Sequence, residues 1–442
     1  MTAKEAIDYV YASYVKAEPY LVFEAPDSEK RNPKLTEKII QRRGGVPTVL
    51  VTGSKGKGSV AKMIAEIMGA HVKTGLMTSP HILEFRERFQ VQGEVICDEV
   101  LAEAIAKVKP EFDSVEAGLS KREYISPMGI QTAAAQEIFK DAGVKFQVME
   151  CGKGVAFDDV NNVPHTYAVI NRIFPEHTRE LGAFPEEISA NKAAIMTGGE
   201  AAAFTAEQMP EVRRILKKRA EETGTPLYEY GRHFWCEQVC FTGQGMRFDV
   251  VTCRHRYHDI QIPLLGVHQA ENCALAIALC EAELGVLKEE KVKAALKCLE
   301  WPGRLEVLSA SPLMLLDACI NRMSCGNVLE ALKELGVSGT VTIIGIPADK
   351  DYQGVASAMA GVSEHMILTK SQNAHYKFGK EQAEQLSKAD IAADWTESIA
   401  EAVSLAREYN AAEEKWDRPI VILGTTSLIS DVKELAATPM LL

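Results

Sequence analysis

The sequence lacks any excess of basic side chains. Its 442 residues include 49 lysines and arginines against 61 aspartates and glutamates, so the formal net charge is −12 at pH 7. A large nucleic-acid surface requires clustered positive charge, and this balance argues against one. It still permits a local basic pocket for a nucleotide.

Long apolar runs and paired cysteine spacings are also missing. No window holds the ~20 consecutive apolar residues that span a bilayer, and the first residues carry acidic side chains instead of the apolar segment of a secretory signal. The ten cysteines are scattered, which is typical of a reducing compartment. We therefore expect a cytoplasmic protein with no membrane or nucleic-acid partner. The oligomeric state stays open, and a monomer is compatible with the sequence.

One group of metal-binding residue types requires weighing against a structural interpretation. Cysteines and histidines at 236, 240, 253, 255 and 258 form a conceivable zinc site. However, the apolar residues around them alternate as in β-strands. We favour antiparallel strands with incidental cysteines over a zinc site.

The length and the pattern of elements predict two domains. A chain of 442 residues is too long for one ordinary core. After a polar helical start, buried strands alternate with helices, which predicts a parallel sheet covered on both faces. Residues 226–263 are expected to form antiparallel strands. Trp301-Pro302-Gly303 interrupts the pattern, and a second alternation of strands and helices follows it.

A glycine-rich loop between a buried strand and a helix is the strongest local signal. Glycines let successive N–H groups face an anion, and the helix N-terminus adds partial positive charge. In such a loop Lys57 would reach the terminal phosphates and Ser59 would bind Mg²⁺. The loop is one residue shorter than the common P-loop pattern, so an ordinary glycine-rich turn is the alternative. The candidate nucleotide-binding residues here are Gly53, Ser54, Lys55, Gly56, Lys57, Gly58, Ser59 and Val60.

Further short motifs follow this loop in a fixed order. They are Thr78-Ser79-Pro80-His81, Glu87-Arg88, Glu150-Cys151-Gly152-Lys153-Gly154, Glu176-His177, Lys192-Ala193-Ala194-Ile195, His268-Gln269 with Asn272, Trp301-Pro302-Gly303-Arg304, Asp317 to Asn321, and Asp349-Lys350-Asp351. In sequence and order they resemble the motifs of the folylpolyglutamate synthase and dihydrofolate synthase family, part of the Mur ligase superfamily. The resemblance implies an α/β fold: a P-loop-type parallel-sheet ATPase domain at 1–300, then a smaller Rossmann-like domain at 301–442.

The resemblance also implies an activity, ATP-dependent amide formation. A carboxylate attacks the γ-phosphate of ATP to give an acyl phosphate, and the amino group of an amino acid then displaces phosphate. Positioning and charge neutralisation carry such a reaction. The cofactors would be ATP and Mg²⁺, and the partners small-molecule carboxylate and amino-acid substrates. The metal ligands carried over by motif are Ser59, Ser79, Glu150 and His177.

The remaining roles come from the same resemblance. Lys57, Lys192 and His177 would be catalytic, with Lys192 able to carry a carbamate; a helix lysine paired with a nearby acid is the alternative. His268 and Asn272 would face adenine, although a helix cap also explains His268. A further pair would bind the nucleotide from beyond the domain junction: Arg304 at the phosphates and Asp317 at the ribose or a phosphate.

Departures from the family pattern lie on the substrate side. Lys55 replaces asparagine, Ala156 replaces arginine, Glu176 replaces aspartate, Ile320 replaces histidine, and residues 373–375 replace a segment with arginine. Unmatched buried polar contacts discriminate strongly between substrates. We therefore predict a ligase related to folate synthases with a different acceptor or amino acid. The alternatives are a bifunctional dihydrofolate/folylpolyglutamate synthase and an ATP-binding regulatory protein that has lost ligation.

Overall fold

The computed structural model describes residues 1–22, 25–243 and 245–437. The strands in these ranges are β1 (Thr48–Thr52), β2 (Thr74–Met77), β3 (Phe89–Val91), β4 (Glu94–Val95), β5 (Phe146–Glu150), β6 (Tyr167–Ile170), β7 (Ala202–Thr205), β8 (Leu227–Glu229), β9 (Phe234–Phe241), β10 (Met246–Thr252), β11 (Arg256–Ile262), β12 (Glu306–Ala310), β13 (Leu313–Asp317), β14 (Thr340–Gly345), β15 (Ser363–Leu368), β16 (Asp394–Trp395) and β17 (Ile420–Gly424).

The α-helices of the described ranges follow the same numbering. They are α1 (Ala3–Ala17), α2 (Asp27–Lys30), α3 (Lys34–Gln41), α4 (Lys57–Gly69), α5 (Asp98–Glu116), α6 (Pro127–Asp141), α7 (Thr178–Leu181), α8 (Pro185–Ala193), α9 (Pro210–Thr223), α10 (Val267–Leu284), α11 (Glu289–Lys297), α12 (Arg322–Glu334), α13 (Tyr352–Met359), α14 (Glu381–Ser387), α15 (Ile399–Ala412) and α16 (Thr426–Ala436). Within the described residues, none is long and apolar enough to cross a membrane.

The first sheet forms the core of the larger domain. Its strand order is β4-β3-β2-β5-β1-β6-β7-β8, and the six strands from β2 to β8 in this order run parallel. Every residue of β1 is buried. Val49 and Val51 pack in one core with side chains of α4 and α10, whereas Leu50 packs in the other with side chains of α6. This alternation is expected of a strand covered on both faces.

The stretch predicted to be antiparallel divides between two sheets. β9, β10 and β11 form a three-stranded antiparallel sheet, as expected. β8, in contrast, pairs in parallel with β7, because α9 connects the two strands as a crossover. The cysteines and histidines considered for zinc have separate partners; for example, the Cys236 thiol donates to the Ala270 carbonyl (3.1 Å). No group of three or more histidine, cysteine, aspartate or glutamate side chains that could hold a metal ion is found among the described residues.

The six-stranded sheet lies in the C-terminal domain. Its order is β12-β13-β17-β14-β15-β16, with β12 antiparallel to β13 and the others parallel. The predicted fold class, two α/β domains with parallel-sheet cores, is confirmed. We propose that the boundary lies near residue 300, because Leu299 packs in the core of the first domain and Leu305 in that of the second.

A buried ion pair fixes the loop that leads into β6. His165 Nδ1 lies 2.9 Å from the Val163 carbonyl oxygen, and Nε2 lies 2.9 Å from that of Ile195 and 3.2 Å from Glu200 Oε1. Carbonyl oxygens only accept hydrogen bonds, so both ring nitrogens must carry protons. Burial alone would lower the pKa of His165, but the Glu200 carboxylate and the carbonyl oxygens outweigh it and raise that pKa.

Alkaline pH is therefore expected to destabilise the first domain through His165. Because the pKa of His165 is raised in the folded state, its contribution to the free energy of unfolding is fully present below the unfolded-state pKa, about 6.5. This contribution is lost as the pH rises through the folded-state pKa. The loss reaches at most about 1.4 kcal/mol per pH unit between the two values. Urea unfolding at pH 6 and pH 9 measures it, and His165→Gln should flatten this part of the profile. Identical profiles for the two proteins would contradict the assignment.

Candidate active site

The candidate site lies at the carboxyl edge of the first sheet. The glycine-rich loop follows β1, Thr78 and Ser79 follow β2, Glu150 ends β5, and Asn171 follows β6. β1 lies between β5 and β6, and β5 pairs on its other side with β2, so these segments are neighbours. Ligands of open α/β sheets bind at this edge.

The loop has the geometry of a phosphate cradle. Gly53 and Gly56 have φ of +143° and +79°, a region that favours glycine. A Cβ on Gly56 would lie 2.5 Å from Asn171 Nδ2, so a larger residue would also collide. The loop ends where α4 begins at Lys57, and the first N–H groups of a helix have no partner within it. The Lys57 ammonium lies back over the loop and donates to the Gly53 carbonyl oxygen (3.1 Å).

Two predicted loop ligands have other contacts. Ser54 Oγ donates to the Phe174 carbonyl oxygen (2.8 Å) and accepts from the Phe174 N–H (3.1 Å), which ties the loop to the segment after β6. Val60 donates its N–H to the Gly56 carbonyl oxygen (3.0 Å), and its side chain is fully buried in the core. Neither the Ser54 hydroxyl nor the Val60 N–H is thus directed to a ligand.

Glu150 presents a buried carboxylate beside the loop. Its Oε2 accepts hydrogen bonds from the Thr78 hydroxyl and from the Ser79 N–H (3.1 Å). Burial raises the pKa of Glu150, whereas the nearby Lys57 and these hydrogen bonds oppose the increase. A buried carboxylate with one oxygen already bound favours a cation at the other.

The donor set beside the loop fits Mg²⁺. Ser59 Oγ is buried and has no hydrogen-bond partner within the described structure, although buried hydroxyls normally have one. Ser79 and Glu150 line one cavity of about 250 Å³ together with Gly58 of the loop. Hydroxyl and carboxylate oxygens are the hard ligands that Mg²⁺ prefers.

His177 lies in a different cavity from Glu150. This larger cavity, about 730 Å³, is lined by residues of both domains. His177 has φ of +48° at the start of α7, and burial is the main reason why its pKa is lowered. The predicted set of four metal ligands is thus divided among three cavities: Ser79 and Glu150 line the first, His177 lines this one, and Ser59 lines another beside the loop. Ile320, Lys350 and Lys377 of the second domain line this cavity together with His177.

Lys192 connects the His177 segment to the phosphate loop. Its fully buried ammonium donates to the carbonyl oxygens of Gly53 (2.9 Å) and Lys153 (2.7 Å) and to Glu176 Oε1 (3.2 Å). Burial, with a further contribution from Lys57, lowers the pKa of Lys192 to about 8. A neutral fraction is therefore present near neutral pH, and carbamate formation needs a neutral amine. The three acceptors, however, match an ammonium better than an anionic carbamate.

The second domain completes a third cavity, of about 100 Å³, on the other side of the loop. Asp317, at the end of β13, faces Lys55, and His268, Asn272 and Arg304 line the same cavity. Asn272 Oδ1 accepts from Asn171 Nδ2 (2.9 Å), and His268 Nδ1 is buried without a hydrogen-bond partner in the described ranges. Arg304 also lines the cavity of Glu150, so this one residue borders both cavities.

Sequence reasoning missed Asn171 as a site residue. Its amide lies against Gly56 and bonds to Asn272, and its Oδ1 accepts from the Arg172 N–H (2.8 Å). The available signal was its position directly after buried strand β6, where ligand-binding residues gather.

Fold and site together define a class of protein, an ATP-dependent ligase with a phosphate-loop domain and a second α/β domain. Residues 51–280 match the family model of the Mur ligase middle domain, which is more than half of the chain. The chain belongs to this family. It is an ATP-dependent carbon–nitrogen ligase, which disfavours a regulatory protein without ligation.

Curated relatives agree with this assignment, and a solved structure shows the same fold. The folylpolyglutamate synthase of Lacticaseibacillus casei is 27% identical over 394 residues, covering 87% of this chain and 88% of that protein. The dihydrofolate synthase/folylpolyglutamate synthase of Bacillus subtilis is 28% identical over 399 residues, covering 87% and 89%. The Mycobacterium tuberculosis folylpolyglutamate synthase complexed with ADP and AMPPCP has a TM-score of 0.87 at 24% identity, covering 97% of this chain and 99% of that one. The predicted resemblance is confirmed.

Proposed function

We propose that the protein joins a small-molecule carboxylic acid to an amino acid through an acyl phosphate, with ATP and Mg²⁺, and that at least one substrate differs from folate and glutamate. The observation that carries the ligation is the convergence of a phosphate loop, the Glu150 carboxylate and Arg304 of the second domain around neighbouring cavities. Ten free cysteines are compatible with the cytoplasmic location that we propose.

The chemistry assigned to the protein is mainly positioning. The acid's carboxylate oxygen attacks the γ-phosphorus and ADP leaves; the amine then attacks the carbonyl carbon, and phosphate and a proton leave. Lys57 and the N–H groups at the start of α4 would hold the phosphates. Mg²⁺, held by Ser59, Ser79 and Glu150, would neutralise phosphate charge. Arg304 would reach the phosphates from the second domain, where its planar fork suits oxygen pairs.

Ile320 supports a changed substrate. It lines the cavity of His177 at the position where the family pattern has histidine. An apolar side chain there offers no hydrogen bond to a polar substrate group, and such a group would lose its hydration without a replacement. The cations Lys350 and Lys377 line the same cavity and suit the α-carboxylate of an amino acid.

Folylpolyglutamate synthesis is the second candidate. It is favoured by the relatives, whose similarity extends over nearly their whole length. Against this candidate, the sequence departs from the family pattern at Ile320 and at Ala156. Alanine cannot form the paired hydrogen bonds that arginine donates to a carboxylate.

A substrate panel is expected to separate them. The purified protein is incubated with ATP, Mg²⁺ and pools of carboxylic acids and amino acids. Phosphate release and the mass of the product are measured. We expect poor turnover of dihydropteroate or tetrahydrofolate with L-glutamate and efficient turnover of another pair. Ile320→His should improve use of glutamate by about ten-fold or more, whereas Ile320→Leu should not, because only histidine restores a polar partner.

Efficient glutamylation of a folate by the unaltered protein, with kcat/KM of about 10⁴ M⁻¹s⁻¹ or above, would establish the second candidate instead.

A further inference from the structure

Lys55 extends from the phosphate loop to the second domain. Its Nζ donates to the Ala318 carbonyl oxygen (3.0 Å) and lies 3.5 Å from Asp317 Oδ1. The Lys55 side chain is 25% exposed and that of Asp317 8% exposed, so water screens the contact only in part. The family pattern has asparagine here, which is too short and uncharged for this contact.

The segment that receives Lys55 is bonded to the domain junction. Asp317 Oδ2 accepts from the Leu305 N–H (2.9 Å), and the Ala318 N–H donates to the Gly303 carbonyl oxygen (2.9 Å). Gly303 and Leu305 belong to the stretch that connects the two domains. Lys55 therefore links the phosphate loop both to the end of β13 and, through it, to the junction.

No other cation replaces Lys55 in the hydrogen bonds that the structure gives Asp317. His268, in the same cavity, is held neutral because burial lowers its pKa to about 4. Arg304 directs Nη1 to the Gly303 carbonyl oxygen (2.9 Å). Without the Lys55 ammonium, the mostly buried Asp317 carboxylate would lack its cationic partner, which weakens the contact between the domains.

We propose that Lys55 is a positioning residue that docks the second domain onto the phosphate loop before nucleotide binds. The proposal rests on the proposed function only in taking a nucleotide as the ligand of this loop. Docking preassembles Arg304 and Asp317 opposite the loop. When only a fraction of molecules is docked, the apparent dissociation constant of a ligand that requires docking rises in inverse proportion to that fraction.

The experiment compares Lys55→Met, Lys55→Arg and the unaltered protein by small-angle X-ray scattering without nucleotide and by calorimetric titration with ADP. In Lys55→Met we expect a larger radius of gyration that contracts when ADP is added, and an ADP dissociation constant raised about ten-fold, the equivalent of about 1.4 kcal/mol. Lys55→Arg should have the radius of gyration and the ADP affinity of the unaltered protein, because arginine keeps the positive charge and a side chain of sufficient length. The unaltered protein should contract little.

Lys415→Met is the control. It removes an ion pair within the second domain, Lys415 with Glu364 (2.5 Å), and neither residue is bonded to the junction in the described structure. It should leave the scattering and the ADP affinity unchanged. Equal radii for Lys55→Met and the unaltered protein, or no rescue by Lys55→Arg, would overturn the proposal. If the unaltered protein binds no ADP, the proposed function fails, while the scattering without nucleotide still tests the docking.

Discussion

Replacing Lys57 with alanine is expected to lower ATP turnover by about 10²–10³-fold while the protein stays folded. The magnitude is that of removing one preorganised electrostatic contact to developing charge in an active site. The fold should tolerate the change because the lysine contributes one hydrogen bond to the Gly53 carbonyl oxygen, worth about 1 kcal/mol. Phosphate release with the substrate pools measures the turnover, and thermal unfolding measures the stability.

A second readout tests the position of Lys57. Because Lys57 lowers the pKa of Lys192, alanine should let that pKa rise, which NMR titration of Lys192 would detect. Lys291→Ala is the control, since Lys291 also donates to a carbonyl oxygen, that of Ala70 (2.8 Å), away from the loop. If Lys57→Ala turns over ATP at the parental rate, the loop does not hold the phosphates.

Glu150→Gln should give a comparable loss of turnover with no loss of stability. The amide oxygen of glutamine can still accept from the Thr78 hydroxyl and the Ser79 N–H, so the local hydrogen bonds remain. Glutamine is also neutral, and burial already disfavours the charged form of Glu150. The melting temperature should therefore stay equal or rise. The amide is a poor ligand for Mg²⁺, so half-saturation should require at least about ten-fold more Mg²⁺.

Another buried carboxylate provides the control for this substitution. Glu281 is 4% exposed and accepts from the Tyr257 hydroxyl (2.8 Å). Glu281→Gln should leave the Mg²⁺ dependence intact. An unchanged Mg²⁺ dependence in Glu150→Gln, accompanied by a lower melting temperature, would assign Glu150 a structural role.

The parts of the fold that the sequence predicted are those determined by local patterns. The buried residues 49–51, the glycines and the apolar helix after them specify β1, the loop and α4 within one short stretch, and the structure contains all three. The parallel pairing of β8 was not predicted. β8 is only three residues long, so its sequence carries little pattern of its own, and the crossover through α9 determines which sheet it joins.

The site was harder to predict because it depends on distant contacts. Lys55 and Asp317 are 262 positions apart, so their pairing cannot be read from either segment alone. The loop composition also could not indicate that the Ser54 hydroxyl bonds to Phe174 instead of facing a ligand. The motifs predicted which segments lie at the carboxyl edge of the sheet. The direction of each side chain there depends on how these segments pack together, which the motifs do not contain.

The most direct test of the central claim is the fate of oxygen from the acid substrate. The acid that supports phosphate release in the pool assay is labelled with ¹⁸O in its carboxylate and incubated with ATP, Mg²⁺ and its amine partner. An acyl phosphate transfers one carboxylate oxygen to phosphate, so mass spectrometry of the released phosphate should show one ¹⁸O per molecule. Unlabelled phosphate, formed while the amide accumulates, would contradict the acyl-phosphate mechanism.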